Sequence, residues 1–91
     1  MLEHPHSVET FDISFNKLTR IPPSISMFTN LKVINLSNNN LEIVPPTILQ
    51  DIVNDNLKKL EFLDLRNNPL NDDQLNSIYL KYPQIKDKIL R

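Results

Sequence analysis

The sequence contains no glycine among its 91 residues. Phosphate-binding loops, dinucleotide fingerprints and nucleophile elbows all depend on glycine, because the backbone there must approach a ligand closely or take a positive φ. Enzymes built on these motifs are therefore excluded in their usual form. The turns of this chain must instead rely on asparagine, aspartate and the seven prolines.

Cysteine is also absent, which excludes disulfide bonds and thiolate metal sites and is consistent with a reducing compartment. Residues 1–6 lack the basic start and the apolar core of a secretory signal. No apolar run approaches the ~20 residues that a membrane-spanning helix needs. We therefore expect a cytoplasmic protein without membrane contact, and a nuclear location is also compatible with these features.

Neither sign of charge dominates, because 10 Lys and Arg residues balance 11 Asp and Glu residues and leave a net charge of −1. Such a chain has no overall field that would attract nucleic acid or anionic lipid. The hydrophobic fraction of 40% is ordinary for a globular protein. A chain of this length forms one domain, and its stability margin is expected to be small.

One pattern recurs three times, over residues 8–18, 31–41 and 60–70. Large apolar residues occupy its first, fourth, sixth and last positions, and asparagine occupies the ninth. The asparagines are Asn16, Asn39 and Asn68, so the repeats are spaced by 23 and 29 residues. Three matches in register predict stacked repeat units, each with an apolar face that it cannot bury by itself.

Each unit is predicted to contain a short strand followed by a return segment. Apolar and polar residues alternate in the strands, and every strand runs in the same direction around the coil, so they should pair in parallel. The pairs Pro22-Pro23 and Pro45-Pro46 favour an extended return segment, because proline has no N–H. The six extra residues of the second unit predict about two helical turns within Thr47–Lys59, with Thr47 as N-cap.

The chain after Leu70 departs from the repeat. Residues 71–74 have the form of a capping box. They precede an amphipathic stripe at helical spacing made of Leu75, Ile78, Tyr79 and Tyr82. We expect a helix that ends before Pro83, followed by a turn or a second short helix that contains Ile85, Ile89 and Leu90. This segment would close the end of the core.

These motifs resemble those of intracellular leucine-rich-repeat proteins. The 23-residue spacing and the I/V-P-P-x-I turns are similar to the Ras-suppressor type, and residues 68–85 resemble the C-terminal cap of several such proteins. The resemblance implies an α/β fold, a short solenoid with three parallel strands on its concave face, proline-rich turns and a short helix on its convex face, and a C-terminal capping helix. The predicted parts are a flexible N-terminal arm (1–7), three repeats (8–70) and a helical cap (71–91).

The resemblance also implies a non-enzymatic protein–protein interaction module that needs no cofactor and binds a protein partner through its concave strand face. Alternation along the strands places four rows of residues on that face. They are Thr10, Val33 and Phe62; Asp12, Asn35 and Asp64; Ser14, Ser37 and Arg66; and Phe15, Asn38 and Asn67. The asparagines at 16, 39 and 68 are expected to form a structural ladder in the turns, because a side-chain amide can both donate and accept.

Other functions stay open from the residues alone. The chain is alternatively a regulatory or targeting fragment of a larger enzyme or scaffold. Its basic C-terminal tail (Lys81, Lys86, Lys88 and Arg91) could also serve an RNA-associated factor, although nucleic acid is the less favoured partner. His4 and His6 lack further ligands for a metal site, and no catalytic residues are expected. The first strand has an open edge, through which a homodimer could form.

Overall fold

The computed structural model describes residues 8–54 and 56–91. Along the chain lie strand β1 (Thr10–Asp12), a 3₁₀ helix (Pro23–Met27), β2 (Val33–Asn35), helix α1 (Pro46–Asn54), β3 (Phe62–Asp64), α2 (Asp72–Lys81), a second 3₁₀ helix (Pro83–Ile85) and β4 (Ile89–Leu90). The arm predicted for residues 1–7, with His4 and His6, lies outside the described residues.

The strands form one parallel sheet in chain order from β1 to β4. Phe11 lies beside Ile34, and Ile34 lies beside Leu63, so the three repeats stack in the predicted register. This arrangement confirms a short leucine-rich-repeat solenoid with a sheet on one side and helical or extended return segments on the other.

The sheet has a fourth strand that we did not predict. Ile89 and Leu90 pair in parallel with Leu63 and Asp64 of β3, where a turn or a short helix was expected. The amide N–H groups of Leu63 and Leu65 donate to the carbonyls of Lys88 and Leu90. The expected second short helix is present at Ile85, in the 3₁₀ helix Pro83–Ile85, but the prediction was wrong for Ile89 and Leu90. Two residues are too few to display strand alternation, and the stable position for the segment is the otherwise unpaired edge of β3.

The core is one continuous cluster between the sheet and the return segments, but it is unevenly covered. In the second and third repeats the inward residues, such as Ile34 and Leu63, are fully buried. The equivalent Phe11 and Ile13 of the first repeat are only partly buried. Phe11 packs against Phe28, with ring centroids 5.4 Å apart. The first repeat therefore has the thinnest packing of the three.

The return segments differ in length, as the unequal spacing predicted. The first repeat has a 3₁₀ helix of five residues, whereas the second has the nine-residue helix α1, which buries Ile48, Leu49 and Ile52. Helix α1 begins at Pro46, one residue before the predicted N-cap at Thr47. Proline is favoured in this first helical position, because its missing N–H would have no partner within the helix.

The cap helix α2 attaches to the second repeat through backbone and amide groups. Asn71 caps α2 by accepting a hydrogen bond from the amide of Gln74 at 2.9 Å. A full capping box would also require the side chain of Gln74 to accept from the backbone N–H of Asn71, and it does not. It instead pairs with the backbone of Val44, donating to the carbonyl at 2.7 Å and accepting from the N–H at 3.2 Å.

Below this contact, α2 covers the end of the core with Leu75 and Ile78, both buried. Within the described residues, no helix combines the length and apolar character needed to cross a membrane.

Candidate functional site

Two asparagine side chains hold the turns that follow the strands. The amide of Asn39 donates to the carbonyl of Leu36 in its own turn (3.0 Å) and to Ile13 of the preceding repeat (3.1 Å), and its oxygen accepts from the N–H of Leu18. Asn39 is buried. The carbonyls of Leu36 and Ile13 also accept from Asn68 and Asn16, whereas the N–H of Leu18 has its partner in Asn39. The side chain of Asn39 thus links two repeats as well as shaping one turn.

Asn68 repeats the same bonds one unit later. It donates to Leu36 of the second repeat and Leu65 of its own, and it accepts from the N–H of Leu41 at 3.0 Å. Asn16 is exposed and, within the described residues, bonds only to the carbonyls of Ile13 and Ser14 in its own turn. The three predicted ladder positions are therefore alike in type but unequal in the number of repeats that they connect.

The residue directly before each ladder asparagine adopts an unusual backbone conformation. Phe15, Asn38 and Asn67 have φ values of 56°, 59° and 61°. Asparagine tolerates this left-handed region well, whereas a phenylalanine there is uncommon and strained. Phe15 is also 78% exposed, so core packing does not account for its presence.

The strands carry a second set of repeated bonds, in which the last strand residue accepts from the residue two positions later. The oxygen Oδ1 of Asn35 accepts from the backbone N–H and the hydroxyl of Ser37, at 3.1 and 2.7 Å. Asp12 and Ser14 repeat this pair in the first repeat. These hydrogen bonds hold the pKa of Asp12 below its ordinary value. They fix the orientation of the polar side chains on the concave face.

In the third repeat the same position holds an ion pair. Arg66 donates through Nε and Nη2 to the two carboxylate oxygens of Asp64, at 3.0 and 2.7 Å. These bonds hold the pKa of Asp64 below its ordinary value despite its burial, and they raise the pKa of Arg66. The guanidinium is held in one orientation while the Arg66 side chain stays 60% exposed.

Not every residue predicted for the concave face is accessible. Ser37 and Asp64 retain only 7% and 5% of their surface, because their neighbours in the sheet and their own hydrogen bonds cover them. They position other groups and offer little surface to a partner. The remaining predicted residues are exposed or half-buried: Thr10, Asp12, Ser14, Phe15, Val33, Asn35, Asn38, Phe62, Arg66 and Asn67.

An apolar cluster lies at the C-terminal half of this face. Phe62 is 43% exposed on β3, and Val33 lies beside it on β2, half-buried. Leu90 is 37% exposed on β4, beside Asp64 in register. We call Val33, Phe62, Arg66 and Leu90 the concave patch. Leu90 was missing from the predicted site because β4 itself was not predicted, and no periodicity in the sequence marks it.

The basic C-terminal residues do not form a separate site of free cations. Lys88 donates through Nζ to the carbonyl of Leu60 at 2.9 Å, and Arg91 forms an ion pair with Asp72. The amino groups of the other two lie over aromatic rings, Lys81 at 5.5 Å from Tyr82 and Lys86 at 5.8 Å from Tyr79. All four predicted cations thus have contacts within the domain. Among the described residues, no group of His, Asp and Glu could hold a metal ion.

Comparison with known proteins agrees with this architecture. The family model for "Leucine rich repeat" matches residues 6–70. The chain is 32% identical to the human "Leucine-rich repeat-containing protein 51" over 74 residues, which are 81% of this chain and 36% of that protein. The bovine protein of the same name is 34% identical over the same share.

A plant protein also matches. The chain is 38% identical over 77 residues to "Receptor-like protein 6" of Arabidopsis thaliana, covering 84% of this chain but 7% of that protein. The chain thus spans about a third or less of the length of these relatives.

Proposed function

Because the chain belongs to the leucine-rich-repeat family, we propose that it is a non-enzymatic protein-interaction module whose concave face binds a protein partner. The observation that carries this proposal is the concave patch, where exposed apolar groups and an arginine of fixed orientation lie on the same face of the sheet. Aromatic residues and arginine in the centre of a surface are enriched among interface hot spots. The face is built from repeated strands, so its side chains are held on a rigid scaffold.

Arg66 is suited to a partner with carbonyl or carboxylate acceptors. Two of its five guanidinium N–H donors bind Asp64, and no residue in the described part of the chain accepts from the other three. Because the salt bridge already restricts the side chain, less conformational entropy is lost on binding than for a free arginine. Phe62 on β3 and Leu90 on the neighbouring β4 supply exposed apolar area on the same face.

The size of the face limits the affinity of such a complex. Strands spaced by ~4.8 Å and only a few residues long provide a few hundred Å², whereas a standard interface buries about 800 Å² on each partner. We therefore expect weak binding by the concave face alone. A tighter partner must also contact the turns or one end of the solenoid.

Affinity capture with the intact chain as bait tests the proposal when the captured proteins are compared among variants. We expect Phe62→Ala and Arg66→Ala to lose the specific partner. Phe62→Ala should unfold at nearly the same temperature as the wild type, whereas Arg66→Ala should unfold at a lower temperature, because the buried Asp64 loses its ion pair. Leu80→Ala and Lys58→Ala are matched controls, because both residues are exposed and neither belongs to the concave face. A partner that is retained by both concave variants but lost with a control variant would contradict the proposal.

A role as the regulatory or targeting part of a larger protein is compatible with the same surface. The relatives are much longer than the matched region, so repeats of this kind occur within larger chains. An RNA-binding role is less well supported, because the basic C-terminal residues have contacts within the domain. The cytoplasmic location expected from the composition stays a prediction.

A second copy of the chain is a further candidate partner, supported by the open side of β1. Ile13 donates to Asn35 of β2 at 3.0 Å, and backbone groups alternate in direction along a strand. The N–H and C=O groups of Thr10 and Asp12 therefore point away from β2. Among residues 8–54 and 56–91, no strand pairs with that side.

An antiparallel dimer with its two-fold axis at Phe11 would pair Thr10 with Asp12 of the second copy through about four backbone hydrogen bonds. It would extend the sheet and bring the thinly covered Phe11 next to its counterpart. Sedimentation equilibrium at a concentration on the order of hundreds of micromolar tests this proposal.

The variant Thr10→Pro removes one outward N–H and should give a monomer, whereas Thr10→Val should still dimerise. A monomeric wild-type chain would contradict the dimer without affecting the proposal for the concave patch.

A further inference from the structure

A groove of about 600 Å³ lies between the return segments of the first and second repeats. Its lining residues come from the proline-rich segments, the first 3₁₀ helix and α1, and none belongs to a strand. The groove arises from the unequal repeat lengths. Helix α1 is nine residues long and its neighbour in the first repeat only five, so the shorter element covers α1 incompletely.

The surface of this groove is mainly apolar. Ile21, Ile25 and Ile48 form its base and are almost completely buried in the core. Ile43 forms part of its wall and is 52% exposed, and Pro45 lies two residues farther along. The volume falls within the range of about 300–1,000 Å³ that is typical of small-molecule sites. A ligand there would remove Ile43 from water without any change in the core.

The backbone of the groove offers few free hydrogen-bonding groups. Pro22, Pro23 and Pro45 have no N–H. The carbonyls of Pro22 and Pro45 accept from Ile25 and Ile48, and the carbonyl of Pro23 accepts from the hydroxyl of Ser26, all at 3.2 Å. An extended peptide would find almost no backbone partners here. The groove is therefore better suited to an apolar body that needs none.

Two charged side chains line the groove, and they differ in their contacts. Arg20 is exposed and forms no hydrogen bond or ion pair with any residue in the described part of the chain. Asp51 already has an interaction partner. The available charge is therefore the guanidinium of Arg20, which favours an anion.

We propose that this groove binds a small organic molecule with an apolar body and one carboxylate, the carboxylate pairing with Arg20 and the body covering Ile43 and Pro45. This site lies on a different surface from the concave patch and does not depend on the function proposed for that patch. The prolines give the groove a preformed shape, because their φ angles are fixed.

Two probes with the same alkyl chain and opposite charge, decanoate and decylammonium, test the proposal in titrations followed by amide NMR shifts. Titration to about 1 mM detects even weak binding. We expect saturable shifts for decanoate at lining residues such as Thr19, Ser26 and Thr47, and about fivefold weaker binding of decylammonium.

Variants separate the contributions of charge and apolar area. Arg20→Gln should weaken decanoate binding about fivefold. Lys17→Gln removes an equal charge from an exposed residue outside the groove and should leave decanoate binding unchanged. Ile43→Ser should weaken binding of both probes. Equal affinities for the two probes, equal effects of Arg20→Gln and Lys17→Gln, or the absence of saturable shifts at the groove would overturn the proposal.

Discussion

Replacement of Asn39 by leucine should destabilise the fold more than the same replacement of its exposed neighbour Asn40. Asn39 is buried and bonds to the carbonyls of Ile13 and Leu36 and to the N–H of Leu18. Leucine leaves the N–H of Leu18 without this partner, at a cost of about 1–3 kcal/mol, and loses the bonds to the two carbonyls, each worth about 0.5–1.5 kcal/mol. We expect a loss of about 3–5 kcal/mol, a large part of the ~5–14 kcal/mol available to a domain of this size.

Urea unfolding followed by circular dichroism measures this effect. With a slope of about 1–1.5 kcal/mol per molar urea, the midpoint of Asn39→Leu should fall by about 2–5 M, or the variant should fail to fold in water. Asn40→Leu should shift the midpoint by less than about 0.5 M. Asn16→Leu should lie near this control, because its bonds stay within one exposed turn. Equal midpoints for Asn39→Leu and Asn40→Leu would refute the reasoning.

Three further predictions concern single side chains. Phe15→Asn should raise the unfolding temperature, since relieving the positive φ of Phe15 is worth about 1 kcal/mol or a few degrees; an unchanged temperature would argue against strain. Gln74→Leu should accelerate exchange of the Val44 amide while Asn76→Leu, exposed on the same helix, should not. In the folded state the pKa of Asp64 lies below its ordinary value of 3.8. The stability that this shift contributes is present above pH 3.8 and is lost as the pH falls through the folded-state pKa. Asp64→Asn should therefore flatten the acid limb of the stability profile.

The repeat architecture could be predicted because its physical causes recur at fixed intervals. A side chain such as Ile34 must enter the core once per turn of the solenoid, and an amide such as that of Asn39 must bond to the backbone of each turn. Both residue types therefore recur at regular positions in the sequence. The longer second repeat likewise indicated the helix α1. These features follow from the local sequence of each unit and from the stacking of similar units, so the sequence alone predicts them.

The remaining features depend on contacts between distant segments. Leu90 joins the concave face only because β4 pairs with β3, and a two-residue strand has no period. Gln74 was identified as part of a helix cap, but its side chain binds Val44, 30 residues away. Asp64 looked accessible from alternation alone, and its burial follows from the neighbouring strand and from Arg66. Such pairings are set by the folded geometry rather than by residue spacing.

Within the described residues, every side chain that bonds to the backbone of a neighbouring repeat belongs to the later of the two units. Asn39 and Asn68 donate backwards to the preceding turn, Gln74 donates back to Val44, and Lys88 donates back to Leu60. Each unit is therefore completed by the one translated after it. On the ribosome the first repeat should stay unprotected until the second emerges, and deletions from the C-terminal end should weaken every earlier unit in turn.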